Sequence, residues 1–142
     1  MKDQLLSTKE QLLSTIENSR KYTLQVAEAM PDRDYHYKPA GAGWDFGELL
    51  HHIAYGIQWW QDNYITGNKT EWAPPPVKKN RQEVLAYLIK AYASFQKTMK
   101  QQTLDEKSTY GVHATLDHIT HHRGQAVIYL RTNGVEPPEY VY

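Results

Sequence analysis

The stretch "HITHHRGQ", residues 118–125, places three histidines within five positions. Around it Leu116, Ile119, Ala126, Val127 and Leu130 recur at three-to-four spacing, the pattern of a helix with one buried stripe. The spacing predicts a helix that begins between Thr109 and Thr115 and runs to about Thr132. Gly134, after Asn133, suits its C-terminal cap, and Pro137-Pro138 prevents continuation.

Three more segments upstream carry the same period. From Lys2 to Met30 the apolar stripe is Leu5, Leu6, Leu12, Leu13, Ile16, Thr23, Leu24, Ala27 and Met30. Pro31 follows, and "PDRDYHYKPAGAGW", 31–44, reads as a loop from its Pro and Gly content. Asp45, with Glu48 three residues on, forms an acidic relative of the capping box and starts the second helix. Its stripe is Leu49, Ile53, Ile57, Trp60 and Tyr64, and Gly67 ends it. The connection "GNKTEWAPPPVKKN", 67–80, holds three consecutive prolines that no helix could accommodate. Asn80 with Glu83 caps the third helix, where Leu85, Leu88, Tyr92, Phe95 and Met99 line one face. No strand-like alternation or internal repeat interrupts these patterns. The economical solution is an all-α, antiparallel four-helix bundle, one domain over residues 1–142, whose long second connection could cross overhand.

Composition narrows the function classes. Sixteen basic residues balance sixteen acidic ones and the pI is near 7.1, so no basic surface for nucleic acid is expected. No apolar run approaches the roughly 20 residues of a membrane span. The N-terminus lacks a signal peptide's apolar stretch, so a soluble cytoplasmic protein with no membrane partner is expected. The absence of cysteine excludes disulfides, thiolate metal ligands and cysteine nucleophiles. Any metal must be held by imidazole or oxygen, and any thiol chemistry must borrow its thiol. Four Trp and eleven Tyr against two Phe suit apolar surfaces with a polar handle, such as pocket linings.

Helical geometry sorts the histidines. On a wheel of the second helix, His52 falls beside Gly56, Trp59 and Asn63 at the edge of the stripe that holds Leu49 and Ile53. His51 falls with Gln58 and Asp62 on the opposite side, toward water. On the last helix, His118 and His122 align with Gln125 and Tyr129 and flank the stripe, while His121, closer to Asp117, is the outward member. Side chains at i and i+4 stand one above the other with Cβ atoms about 5–6 Å apart, so His118 and His122 could converge on one ion. His52 would complete a three-nitrogen face with coordination positions left open, the arrangement of a catalytic rather than structural site. Neutral core histidines with satisfied ring nitrogens would produce the same spacing, and spacing alone leaves both readings open.

These residues resemble the DinB-like (YfiT-like) superfamily of bacterial metal-binding four-helix bundles. The likeness rests on "GELLHHIAYG", 47–56, "HITHHRGQ" from His118, the lead-in "YKPAGAGWDFGELL", 37–50, and the ending "LRTNGVEPPEY", 130–140. It extends over nearly the whole chain. Carried over residue by residue, it implies metal ligands at His52, His118 and His122, a divalent ion (zinc or nickel), and a homodimer. It also implies, for some members, transfer chemistry with a low-molecular-weight thiol such as bacillithiol, mycothiol or glutathione, acting on a small-molecule substrate.

A bound divalent cation lowers a coordinated thiol's pKa and presents thiolate at neutral pH. Metal-activated hydrolysis is the alternative, and a non-catalytic, metal-stapled stress-response bundle the competing class. Hydrolysis has less support, because Ile119 stands where an HExxH protease carries its glutamate, and His121 where the inverted motif carries its own. Glu48, Tyr55 and Gln125 are the candidates for a catalytic group, Glu48 being also a helix cap and Gln125 a residue able to orient His122. Trp59, Tyr55 and Tyr129 are candidate pocket walls or core. Arg123, in the middle of the apolar stripe, is expected to meet a buried carboxylate against helix one, and mid-helix Gly124 a close backbone.

Overall fold

The computed structural model describes residues 2–78 and 80–142, with side chains described from residue 8 onward. Leu5 and Leu6 of the expected stripe therefore lie outside the described side chains. Among the described residues four α-helices make up the fold: α1 (Lys2–Ala29), α2 (Phe46–Trp60), α3 (Arg81–Gln101) and α4 (Glu106–Thr132). Among the described residues there is no strand, and no helix is long and apolar enough to cross a membrane.

The caps explain where the helices start. Asp45 Oδ1 accepts from the Glu48 backbone N–H at 2.8 Å, and Glu48 Oε1 accepts in return from the Asp45 N–H at 3.2 Å. Asn80 Oδ1 accepts from the Glu83 N–H at 2.9 Å. α4 begins earlier than its apolar period suggests, because Asp105 and Ser108 form another reciprocal box, each backbone N–H donating at 2.8 Å. Gly111 lies within α4, where a Cβ would lie 2.7 Å from Tyr64 Cβ. At the other end Gly134 takes φ +75°, and the Val135 N–H returns to the Leu130 carbonyl, closing α4 as expected.

α2 does not simply run on to Gly67. Residues Gln61–Ile65 form a π turn, closed by the Thr66 N–H donating to the Gln61 carbonyl at 2.9 Å. The wider turn rotates the register, so the buried face continues as Ile57, Gln61 and Ile65. Trp60 and Tyr64, expected in the stripe, are only half-buried and stack on each other.

Packing partners define the topology. Lys9 Nζ donates to the Gln102 carbonyl and Arg81 Nη2 to the Glu28 carbonyl, so α1 and α3 are antiparallel. His118 packs on Gly56, and Gly111 packs on Tyr64 and Ile65, so α2 and α4 are antiparallel too. By contrast, Tyr87 meets His51 and Ser94 meets Gln61, which makes α2 and α3 parallel. The connection 66–80 must therefore travel back along α2, as an overhand crossing does. The core between the helices is built from Ile16, Val26, Leu50, Ile53, Leu88, Phe95, Ile119 and Leu130, all fully buried.

Candidate metal site

The α2–α4 seam brings together the three histidines singled out by helical geometry. His52 Nε2 lies 3.1 Å from His118 Nε2 and 3.1 Å from His122 Nε2. Taking one ring nitrogen from each, the three atoms lie within 4.8 Å of one another. A neutral imidazole nitrogen holds either one proton or one lone pair, so one bridging proton cannot satisfy both contacts of His52. A single cation can. Ligand nitrogens about 2.0–2.1 Å from a tetrahedral ion stand about 3.3 Å apart, close to the observed spacing. The trio could hold a metal ion, and among the described residues no carboxylate joins it.

Electrostatics favour the neutral rings that a metal requires. Burial, followed by the charge of the neighbouring imidazoles, pushes His52 and His118 down to about 4. Burial also lowers His122, opposed by its hydrogen bond to Gln125. That bond runs from His122 Nδ1 to Gln125 Oε1 at 2.9 Å. A carbonyl oxygen can only accept, so the proton sits on Nδ1 and the Nε2 lone pair faces the trio. Gln125 is thus an orienting residue. His118 is positioned sterically instead: a Cβ at Gly56 would fall on its ring, 2.6 Å from Nδ1. The absent side chain makes room for this imidazole, whose Nδ1 is buried without a partner.

The other candidates have different employment. Glu48 is committed to the α2 cap. Tyr55 Oη accepts from the Ala73 N–H at 2.8 Å and fastens the 66–80 connection to α2. Tyr129 donates to the Trp44 carbonyl at 2.8 Å. Trp59 packs against Trp72. His121 is exposed, as expected.

Three expectations need correction. His51 is not directed to water but is 3% exposed, covered by Tyr87 and by the connection near Pro75. A wheel of α2 alone cannot register a loop folding over its polar side. Neither His51 ring nitrogen has a partner of acceptable hydrogen-bond geometry, and burial outweighs the Pro75 carbonyl to lower its pKa. Arg123 is buried at 6% exposure against α1, but among the described residues it meets no carboxylate. Its guanidinium lies 3.4 Å from Thr23 Oγ1 and covers the rings of Tyr22 and Tyr140 at 5.0 and 5.6 Å. Gly124 has nothing within 4 Å of where its Cβ would be, so the close approach belongs to Gly56 and Gly111.

Two residues escaped the sequence reading. Trp44 and Trp72 lie in the loops before and after α2, and their ring centroids are 4.5 and 5.4 Å from that of His52. Helical periodicity carries no information about loop residues. The only available signal was the aromatic excess.

The fold has a solved counterpart in the crystal structure of a DinB-like protein from Bacillus cereus ATCC 10987. The TM-score is 0.78 at 20% identity, over 94% of this chain and 97% of that one. No curated protein matches the sequence. The model of the DinB superfamily matches residues 15–130, and the chain belongs to that superfamily.

Proposed function

We propose that the protein binds one divalent metal ion, zinc or nickel, through Nε2 of His52, His118 and His122, and uses it to transfer a low-molecular-weight thiol to a small electrophile. The observation that carries this reading is the convergence of three Nε2 atoms with 3.1 Å contacts and, among the described residues, no carboxylate to complete the cluster. When bound, the ion would lower the thiol's pKa so that thiolate is available at neutral pH. The chain's own part is to hold the three rings, through Gln125 on His122 and the glycine gap at Gly56, and to leave one side accessible. In the reaction the thiol loses its proton to solvent, sulfur forms a bond to the electrophilic carbon, and the leaving group departs with the electron pair of the broken bond.

Transfer is favoured over hydrolysis by what surrounds the trio. A bound metal would acidify water as it does a thiol, but hydrolysis draws in addition on a general base or acid that passes a proton to the leaving group. Glu48 is occupied at a helix cap, the Tyr55 oxygen carries a backbone contact, and an amide such as Gln125 cannot take a proton. The test combines metal analysis of purified protein with a panel of small thiols and a generic electrophile. Conjugation abolished by a chelator and by His122→Ala supports the proposal. A metal whose removal only lowers the melting temperature, with no thiol consumed, would leave a stapled bundle instead.

A further inference from the structure

We infer that Trp44 and Trp72 form an aromatic clamp beside the three-histidine cluster and that it selects a planar, uncharged, conjugated electrophile. This rests on the metal-site reading above and names its substrate class. The two indoles come from different connections, yet both rest on the ring of His52, at 4.5 Å and 33° for Trp44 and at 5.4 Å and 55° for Trp72. Trp44 also reaches His122 at 5.8 Å. Although packed on candidate ligands, they remain 37% and 45% exposed, so each offers indole surface to solvent next to the trio. Large aromatic rings left open beside a site favour stacking with a flat partner.

The backbone that carries each ring is fastened by a tyrosine hydroxyl. Tyr129 on α4 donates to the carbonyl of Trp44 itself, and Tyr55 on α2 accepts from Ala73, next to Trp72. Asn63 adds a second fastening, accepting from the Thr70 N–H at 3.0 Å and donating to Thr70 Oγ1 at 3.2 Å. Tyr55 and Trp59 back Trp72 edge-on at 4.7 and 5.5 Å. The clamp is therefore preorganised rather than assembled by the ligand. Indole faces also attract organic cations, but a divalent ion in the neighbouring trio would repel them, which leaves neutral conjugated molecules as the favoured class.

The test measures equilibrium binding of an inert planar probe, 4-nitroanisole, against its saturated counterpart, cyclohexyl methyl ether. Metal content is read on the same zinc-loaded samples. The wild type is expected to prefer the planar probe. The double variant Trp44→Leu/Trp72→Leu should bind it about tenfold more weakly, given two lost stacking contacts, while the saturated probe changes little. Trp44→Phe/Trp72→Phe should restore most of the preference, which separates stacking from a folding defect. Equal binding of the two probes by the wild type, or equal losses in the leucine variant, overturns the clamp. If the protein retains no metal, the metal reading fails on its own, and the same comparison on metal-free protein still decides the clamp.

Discussion

Tyr92 on α3 and His52 on α2 both bring polar atoms into the bundle, but their neighbours treat them differently. Around Tyr92 the buried polar atoms are matched within the chain. Its hydroxyl lies 2.8 Å from Ser19 Oγ and 2.9 Å from Thr23 Oγ1 on α1, and Arg123 extends the network from there to α4. The guanidinium is enclosed by Tyr22 and Tyr140, and Tyr22 in turn donates to the Pro138 carbonyl. Around His52 the arithmetic does not close, since three ring nitrogens face one another with no donor set able to serve them all. Buried polar groups in folded proteins are normally satisfied. The first cluster is complete as an element of the fold, and the second, only partly buried, is one that could hold a cation.

The two clusters should respond differently to perturbation, and acid should produce the largest effect. The folded-state pKa values of His52 and His118 lie near 4, below their ordinary value of 6.5. Rings held neutral in the fold bind fewer protons than in the unfolded chain, so their share of stability is present above pH 6.5 and is lost as pH falls toward 4. Protons compete with metal for the same lone pairs. Metal content and melting temperature, followed from pH 7.5 to 4, should fall together through this window. A metal content independent of pH across it would contradict the assignment of neutral imidazole ligands.

Next comes Gln125→Ala, which removes the acceptor that sets the His122 tautomer. Loss of such an orienting partner typically weakens metal binding by about 10–100-fold. Competition with a chromophoric chelator would read it, and unchanged affinity would assign Gln125 to the surface.

A pair of glycines gives effects of opposite sign. Gly56→Ala drives a methyl group into the His118 ring, with an expected loss of about 1–3 kcal/mol from overpacking and weakened metal binding. Gly124→Ala, with open space around it, should add about 1 kcal/mol through helix propensity and leave the metal alone. Denaturant melts of the two variants decide it. Tyr92→Phe should lower stability by about 1–2 kcal/mol by stripping Ser19 and Thr23 of their partner. Metal affinity should not move, and a change there would mean that the two polar clusters are coupled.

The legible parts of this molecule are those a single helix encodes. Apolar spacing and the Asp45 and Asn80 caps disclose the helices, and i, i+4 spacing separates His118 and His122 from His121. Where a second segment decides the outcome, the wheel fails. His51 is buried by a loop folding over it, and Arg123 finds hydroxyl and aromatic partners on α1 and the C-terminal segment instead of a carboxylate. The π turn at Gln61–Ile65 shifts which residues face inward, without a period to announce it. Trp44 and Trp72 are invisible for a related reason, since their meeting at His52 depends on how two connections close over α2.

Whether the three rings share one ion is decided by a zinc titration of metal-stripped wild type beside His52→Ala, His118→Ala and His122→Ala, monitored by competition with a chromophoric chelator. One tight equivalent in the wild type, lost in each of the three variants while His121→Ala retains it, is the expected result. Tight binding that survives removal of any one of the three rings, or no stoichiometric binding by the wild type, would refute the shared site.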